Sequence, residues 1–138
     1  MTSQPKIKVA LVGVGYWGPN VARSLVSTGK ADLTWLCNLN QEDLTKAAKR
    51  HPGVKTTTDM DDLLADDELD AIAISTPTNT HFSLAKRVLE AGKHVLVEKP
   101  LTTAKKESEI LTRIAEERGL VLMVGHVFQY NEGLKILK

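Results

Sequence analysis

The chain has 138 residues, 42% of them hydrophobic and 25% charged, enough to bury one core in one domain. Its 18 basic and 17 acidic residues leave a formal net charge of +1, too weak a field to single out nucleic acid or an anionic membrane, so a small molecule is the expected ligand. No apolar run approaches the roughly 18 residues that span a bilayer, the start of the chain lacks the apolar middle of a secretion signal, and the single cysteine, Cys37, excludes an internal disulfide; a cytoplasmic setting is predicted.

Short β-branched runs alternate with longer helical patterns, without repeats or low-complexity linkers. That alternation predicts an α/β fold: a doubly wound, mostly parallel sheet of about six strands with flanking helices. The first strand, residues 7–12, runs into Gly13-Val14-Gly15-Tyr16-Trp17-Gly18 and then a helix over 19–27 with Pro19 in its first turn. A second strand at 33–37 ends on Cys37, read as a small buried hydrophobe, and Asn40 caps a helix over 42–50. Further strands are expected at 54–56, 71–75, 94–97 and 121–124, continuously apolar as strands covered on both faces are.

Asp59 is expected to cap a helix through Leu64, Thr78 or Asn79 one through Glu90, and Thr102 or Thr103 one through Arg118. Ala91-Gly92 and Arg118-Gly119 mark helix ends. On the last helix Ala104, Ile110, Leu111, Ile114 and Ala115 form an apolar stripe, and the charged residues fall largely on a solvated face. Residues 131–138 begin another helical pattern that stops after about two turns. The expected organisation is a dinucleotide-binding domain over 1–125 and, over 126–138, the start of a connection towards a further domain.

The glycine turn carries the clearest chemistry, because it follows a strand directly and opens a helix. Gly13 permits the tight turn, Gly15 lets the backbone approach a pyrophosphate, Gly18 lets helix and strand pack closely, and the helix start offers amide donors and a favourable dipole. The same pattern expects an acidic residue roughly 20 residues on to take the ribose hydroxyls. Asn38 stands there; it can hydrogen-bond a hydroxyl but does not repel a 2′-phosphate, and it can equally be a plain turn residue. With no Arg at positions 39–41, NAD is favoured and NADP is not excluded.

Two further loops fall at the carboxyl edge of the sheet, where open parallel sheets bind ligands. Ser75-Thr76-Pro77-Thr78-Asn79-Thr80-His81 offers hydroxyls and an amide, for lining a dinucleotide crevice or for capping a helix. Glu98-Lys99-Pro100 places an ammonium beside a carboxylate; Lys99 either serves a substrate hydroxyl as proton donor or relay, or forms an ordinary surface pair with Glu98.

Together Gly13 to Asn20, Ser75 to His81, Ala91-Gly92-Lys93-His94 through Glu98-Lys99-Pro100-Leu101, and Val124-Gly125-His126 resemble the glucose-fructose oxidoreductase, inositol dehydrogenase and MocA-type family over essentially the whole chain. The resemblance implies an NAD(P)-dependent oxidoreductase acting on sugars, cyclitols or nucleotide-linked sugars. It gives Lys99 the catalytic place beside the nicotinamide, makes Pro100 an often cis proline, and puts Thr76, Pro77, Asn79, His81 and Glu98 on the cofactor, with Tyr16, Trp17, Ser75 and Gln129 completing the binding set. No metal is implied. Asn38 departs from the usual acidic residue, and Glu132 stands where a proline commonly follows the last strand.

The resemblance also implies a second, mostly antiparallel domain that supplies the substrate pocket, the catalytic histidine and much of a homo-oligomer interface. Without it the chain is expected to bind dinucleotide with no turnover, and to meet a sugar-type substrate only alongside that domain. Two other classes compete: a Rossmann sensor module without chemistry, against which Glu98-Lys99-Pro100 argues, and a methyltransferase with a glycine-rich turn, against which the dinucleotide spacing argues.

Overall fold

In the computed structural model, which describes residues 4–125, the apolar run Val9 to Val12 becomes the buried centre of strand β1 (Ile7–Val12). β1 is flanked by β2 (Ala31–Cys37) and β4 (Ala71–Ile74), and every strand pairing is parallel. β3 (Lys55–Thr57) lies outside β2, and β5 (His94–Glu98) and β6 (Leu122–Gly125) extend the other side, in the order β3-β2-β1-β4-β5-β6. The helices α1 (Gly18–Ser27), α2 (Gln41–Ala48), α3 (Met60–Leu64), α4 (His81–Glu90) and α5 (Lys105–Arg118) make the crossovers, so the predicted six-stranded doubly wound sheet is the fold observed.

Side-chain alternation along each strand divides the core in two. Ala10, Val12, Ile72, Ile74, Val95 and Val97 face one way and pack against α3, α4 and α5 through Leu63, Val88, Leu89, Leu111 and Ala115. Val9, Leu11 and Ala73 face the other way and pack against α1 and α2 through Val21, Ala22 and Leu44. Each fully buried Leu, Ile or Val contributes about 1.5–3 kcal/mol by leaving water, so these two layers hold the sheet.

The expectation that every strand is covered on both faces fails at one corner. The crossovers after β4 and β5 both run on the first face. On the second face, among the described residues, the surface over β5 and β6 is an open apolar trough along Leu25, Leu96 and Met123, with Met123 44% exposed. The burial of β5 therefore alternates where a continuous run was expected.

Helix starts follow local chemistry, with two corrections. Asn40 and Asp59 cap α2 and α3 as expected, their side chains accepting from the backbone N–H groups of Asp43 and Asp61. Thr78 and Asn79 do not cap α4; residues Thr78–Thr80 form a 3-10 turn leading into it, which leaves Thr80 at the cap position with no side-chain capping bond. Nor does Thr102 or Thr103 cap α5: Ala104 holds that place, because the Thr102 hydroxyl is engaged by Ser108 and the Ala104 carbonyl. Gly119, left-handed at φ 64°, ends α5 as predicted. No described helix is long and apolar enough to cross a membrane.

Candidate functional site

The chain leaves β1 towards β2 and leaves β4 towards β5, so the sheet reverses its winding between these adjacent strands. A crevice opens at their carboxyl ends, where parallel sheets place ligands. The glycine turn forms one wall. Gly13 has φ 93°, and a methyl group there would lie 2.5 Å from the Ser75 carbonyl oxygen; a methyl group on Gly18 would overlap the Gly13 carbonyl oxygen. Gly13 and Gly18 are thus demanded by the protein's own packing. Gly15 is different: a methyl group there would meet no protein atom within 4 Å, and its φ is not positive.

The turn is anchored at its start and open beyond. The Gly13 N–H donates to the Cys37 carbonyl and the Val14 N–H to Oδ1 of Asn38, at 2.9 and 3.2 Å. The N–H groups of Gly15, Tyr16, Trp17 and Gly18 meet no acceptor among the described residues. The Trp17 side chain makes no cap, no acidic residue occupies the first turn of α1, and Pro19 has no N–H to offer. Tyr16 and Trp17 are exposed, Tyr16 at 97%, and Trp17 lines the trough with Leu25, Leu96 and Met123.

Asn38, at the end of β2, is tied at both ends of its amide. Oδ1 accepts from Val14 and Nδ2 donates to the Asn40 carbonyl at 3.2 Å, so the side chain braces the glycine turn against the start of α2. Beside it a cavity of about 370 Å³ runs between Leu39, Thr58 and Met60 on one side and Thr76, Pro77 and Leu84 on the other. Leu39, Thr58, Met60 and Leu84 did not figure among the residues singled out from the sequence; their position just beyond strand ends or facing the crevice is the signal that finds them. Cys37 lies beneath this cavity, and burial, reinforced by Asp59 and Asp62, pushes its thiol up to about 11.

On the other wall the hydroxyls of Thr76 and Thr80 share a bond of 2.6 Å, and Thr80 also donates to the Pro77 carbonyl. Ser75 and Thr76 are partly exposed, and Pro77 and Asn79 exposed. His81 is 1% exposed: its Nδ1 lies 2.8 Å from the Pro100 carbonyl oxygen and its Nε2 2.9 Å from that of Thr76. No polar atom of His81 faces the crevice free.

At the end of β5 the Lys99-Pro100 peptide is cis, Lys99 is exposed, and the Glu98 carboxylate lies against Gly125, where an added methyl group would come within 3.0 Å of it. No ion pair among the described residues engages Glu98 or Lys99, so the two do not form the ordinary surface pair. The structure therefore brings Gly13 to Gly18, Asn38, Ser75 to Asn79 and Glu98 to Pro100 to one edge of the sheet. Gln129, with His126 and Glu132, lies outside the described residues.

The donor set suits a bridging phosphate: open consecutive N–H groups, a helix start free of negative charge, and a glycine whose missing side chain nothing in the protein fills.

Comparison with known proteins agrees. Residues 7–126 match the model of the GFO_IDH_MocA family, described as an oxidoreductase family with an NAD-binding Rossmann fold. The chain is 33% identical over 134 residues to the UDP-N-acetylglucosamine 3-dehydrogenase of Acidithiobacillus ferrooxidans, covering 96% of this chain and 41% of that protein. Among solved structures it is similar to GenD2 from gentamicin A biosynthesis in complex with NAD, at TM-score 0.85 and 36% identity, covering 91% of this chain and 36% of that one. It is also similar to the 3-ketoreductase KijD10 of Actinomadura kijaniata in complex with NADP and TDP-benzene, at TM-score 0.88 and 28% identity over 95% of this chain and 41% of that one. The chain spans well under half the length of the curated relatives it matches. With its switch-point crevice and a family match over residues 7–126, the chain belongs to the glucose-fructose oxidoreductase, inositol dehydrogenase and MocA-type family, and carries that family's NAD-binding Rossmann domain.

Proposed function

We propose that this chain seats the pyrophosphate of NAD on the turn between β1 and α1, as the cofactor half of an oxidoreductase whose substrate is a sugar, cyclitol or nucleotide-sugar hydroxyl. The observation that carries the reading is the pairing of Gly15 with the open N–H groups around it. Gly13 and Gly18 are explained by internal packing, whereas Gly15 is explained only by something that comes close from outside.

Bound nicotinamide supplies the hydride chemistry; the protein holds and orients it. The cavity between Leu39, Met60 and Pro77 takes the flat adenine against apolar walls. Lys99, exposed and unpaired among the described residues, carries its ammonium at the far end of the crevice, where Nζ holds the proton exchanged with a substrate hydroxyl. Preference for NAD over NADP rests on charge at the ribose corner: Glu42 and Asp43 lie in the first turn of α2, and Lys46 on the same helix is already paired with Glu42 at 2.8 Å. Asn38 shapes the turn through Val14 rather than serving the ribose by charge.

In this reading residues 1–125 are the dinucleotide domain, 126–138 start the connection to a substrate domain, and the chain by itself binds cofactor without turnover. Calorimetric titration with NAD, NADP and their reduced forms, beside Gly15→Ala, tests it. Saturable binding of NAD, weakened about tenfold or more in the variant while its melting temperature holds, supports the site. Equal binding by both proteins removes the pyrophosphate from this turn, and turnover of any sugar by the chain alone refutes the division of labour.

A further inference from the structure

His81 is sealed from solvent at 1% exposure, and its imidazole stands between the two ligand-facing loops. It is the first residue of α4, so its backbone is fixed by a helix that α5 and the sheet bury through Ala85, Val88 and Leu89. From that fixed point the ring reaches two separate loops: the Thr76 carbonyl beyond β4 and the Pro100 carbonyl beyond β5, the second 19 residues away in sequence. Carbonyl oxygens only accept, so the imidazole is the donor; it serves both loops when it carries two N–H protons and one of them when neutral. Few other side chains place two donors on opposite sides of a rigid, flat body.

We propose that His81 is a positioning residue. It touches no cofactor itself; it sets the spacing between the loop that carries Thr76 and Pro77 and the loop that carries Lys99. The inference rests on the dinucleotide reading above, in which the first loop lines the adenine cavity and the second carries Lys99 at the nicotinamide end. Hydroxyls cannot substitute for the link: Thr80, the nearest alternative, spends its hydroxyl within its own loop, on Thr76 and Pro77.

The test uses the 138-residue chain with His81→Leu, which removes both links, and His81→Gln, which keeps a donor nitrogen on one side of a flexible stem and turns a non-donating amide oxygen to the other. Backbone amide spectra come first. His81→Leu should shift the amides of Lys99 and Leu101 as well as those of Thr76 and Thr78, and His81→Gln should shift the distant pair less. If Lys99 and Leu101 stay in place while only the Thr76 loop moves, the clamp does not exist. Should His81→Leu fail to fold, His81→Gln alone decides, by the same comparison.

Affinity then separates positioning from mere support. NAD is compared with ADP-ribose, which lacks the nicotinamide ring. The variants should lose about three- to tenfold for NAD, which spans both loops, and less for ADP-ribose, which meets only the Thr76 loop; equal losses for both overturn the positioning role. If the unaltered chain binds neither molecule, the dinucleotide reading falls, and the amide spectra still decide whether the two loops are coupled.

Discussion

The two edges of the sheet are both rich in polar groups and treat them in opposite ways. At the amino edge the groups are used up within the protein. Lys93, 5% exposed, donates to the carbonyls of Asp66 and Leu69, Trp35 donates from Nε1 to the Asp66 carboxylate at 2.7 Å, and Asp70 accepts from the Lys8 N–H. At the carboxyl edge four consecutive N–H groups and the Lys99 ammonium have no partner among the described residues. Polar density alone does not mark a ligand site. What marks it is hydrogen-bonding capacity that the fold leaves open at the one edge where all the strand ends meet.

The largest effect should come where the open edge nevertheless depends on close packing. Gly13→Ala forces a methyl group onto the Ser75 backbone in a left-handed conformation, and is expected to cost about 3 kcal/mol or more, read as a lowered denaturant midpoint. A midpoint within experimental error of the parent would show that the turn can relax, and would blur the distinction from Gly15.

At the saturated edge, Lys93→Met should cost about 2–3 kcal/mol, because it strands two carbonyls that a methionine cannot serve. Asp66→Asn should cost about 1–2 kcal/mol at neutral pH. The bond from Trp35 holds the Asp66 carboxyl below its usual range, so its contribution is present above the ordinary carboxylate value and is lost as pH falls through the lowered one. The gap between parent and variant, followed by urea titration from pH 7 downwards, should therefore close on acidification. A gap that stays constant would remove the charge from the explanation.

Gly15→Ala, by contrast, should leave stability within about 0.5 kcal/mol, since its methyl group meets no protein atom. Gly13 and Gly15 together thus separate a glycine kept for folding from one kept for a ligand. The smallest expected effect is chemical: with its thiol raised to about 11 by burial, Cys37 should stay protonated and resist alkylation at pH 8 in the folded chain, while reacting readily in denaturant.

Legibility from the sequence followed the range over which each feature is determined. The succession of six parallel strands and the glycine turn were readable because both rest on patterns within about 30 residues, the span of one β-α-β unit. Asp59 and Asn40 were readable as caps because their partners lie two and three residues away. The start of α4 was misplaced because three polar residues in a row can each cap a helix, and a 3-10 turn resolves the choice only in three dimensions. Asn38 was placed correctly in the fold, yet its use was hidden, since the competing partner for its amide, Val14, lies 24 residues away. The position of the His81 ring between two loop carbonyls was equally invisible, as was the trough over β5 and β6, which depends on which face each crossover takes.

The two tryptophans fall one at each kind of environment. Trp17 stands 45% exposed and lines the trough with Leu25, Leu96 and Met123, while Trp35 is partly buried, held by Asp66 and covered by the Lys55 ammonium 5.0 Å from its ring. Their fluorescence should therefore divide into two channels without any label: a quencher-accessible emission that answers to whatever covers the trough, and a shielded one that answers to integrity of the fold.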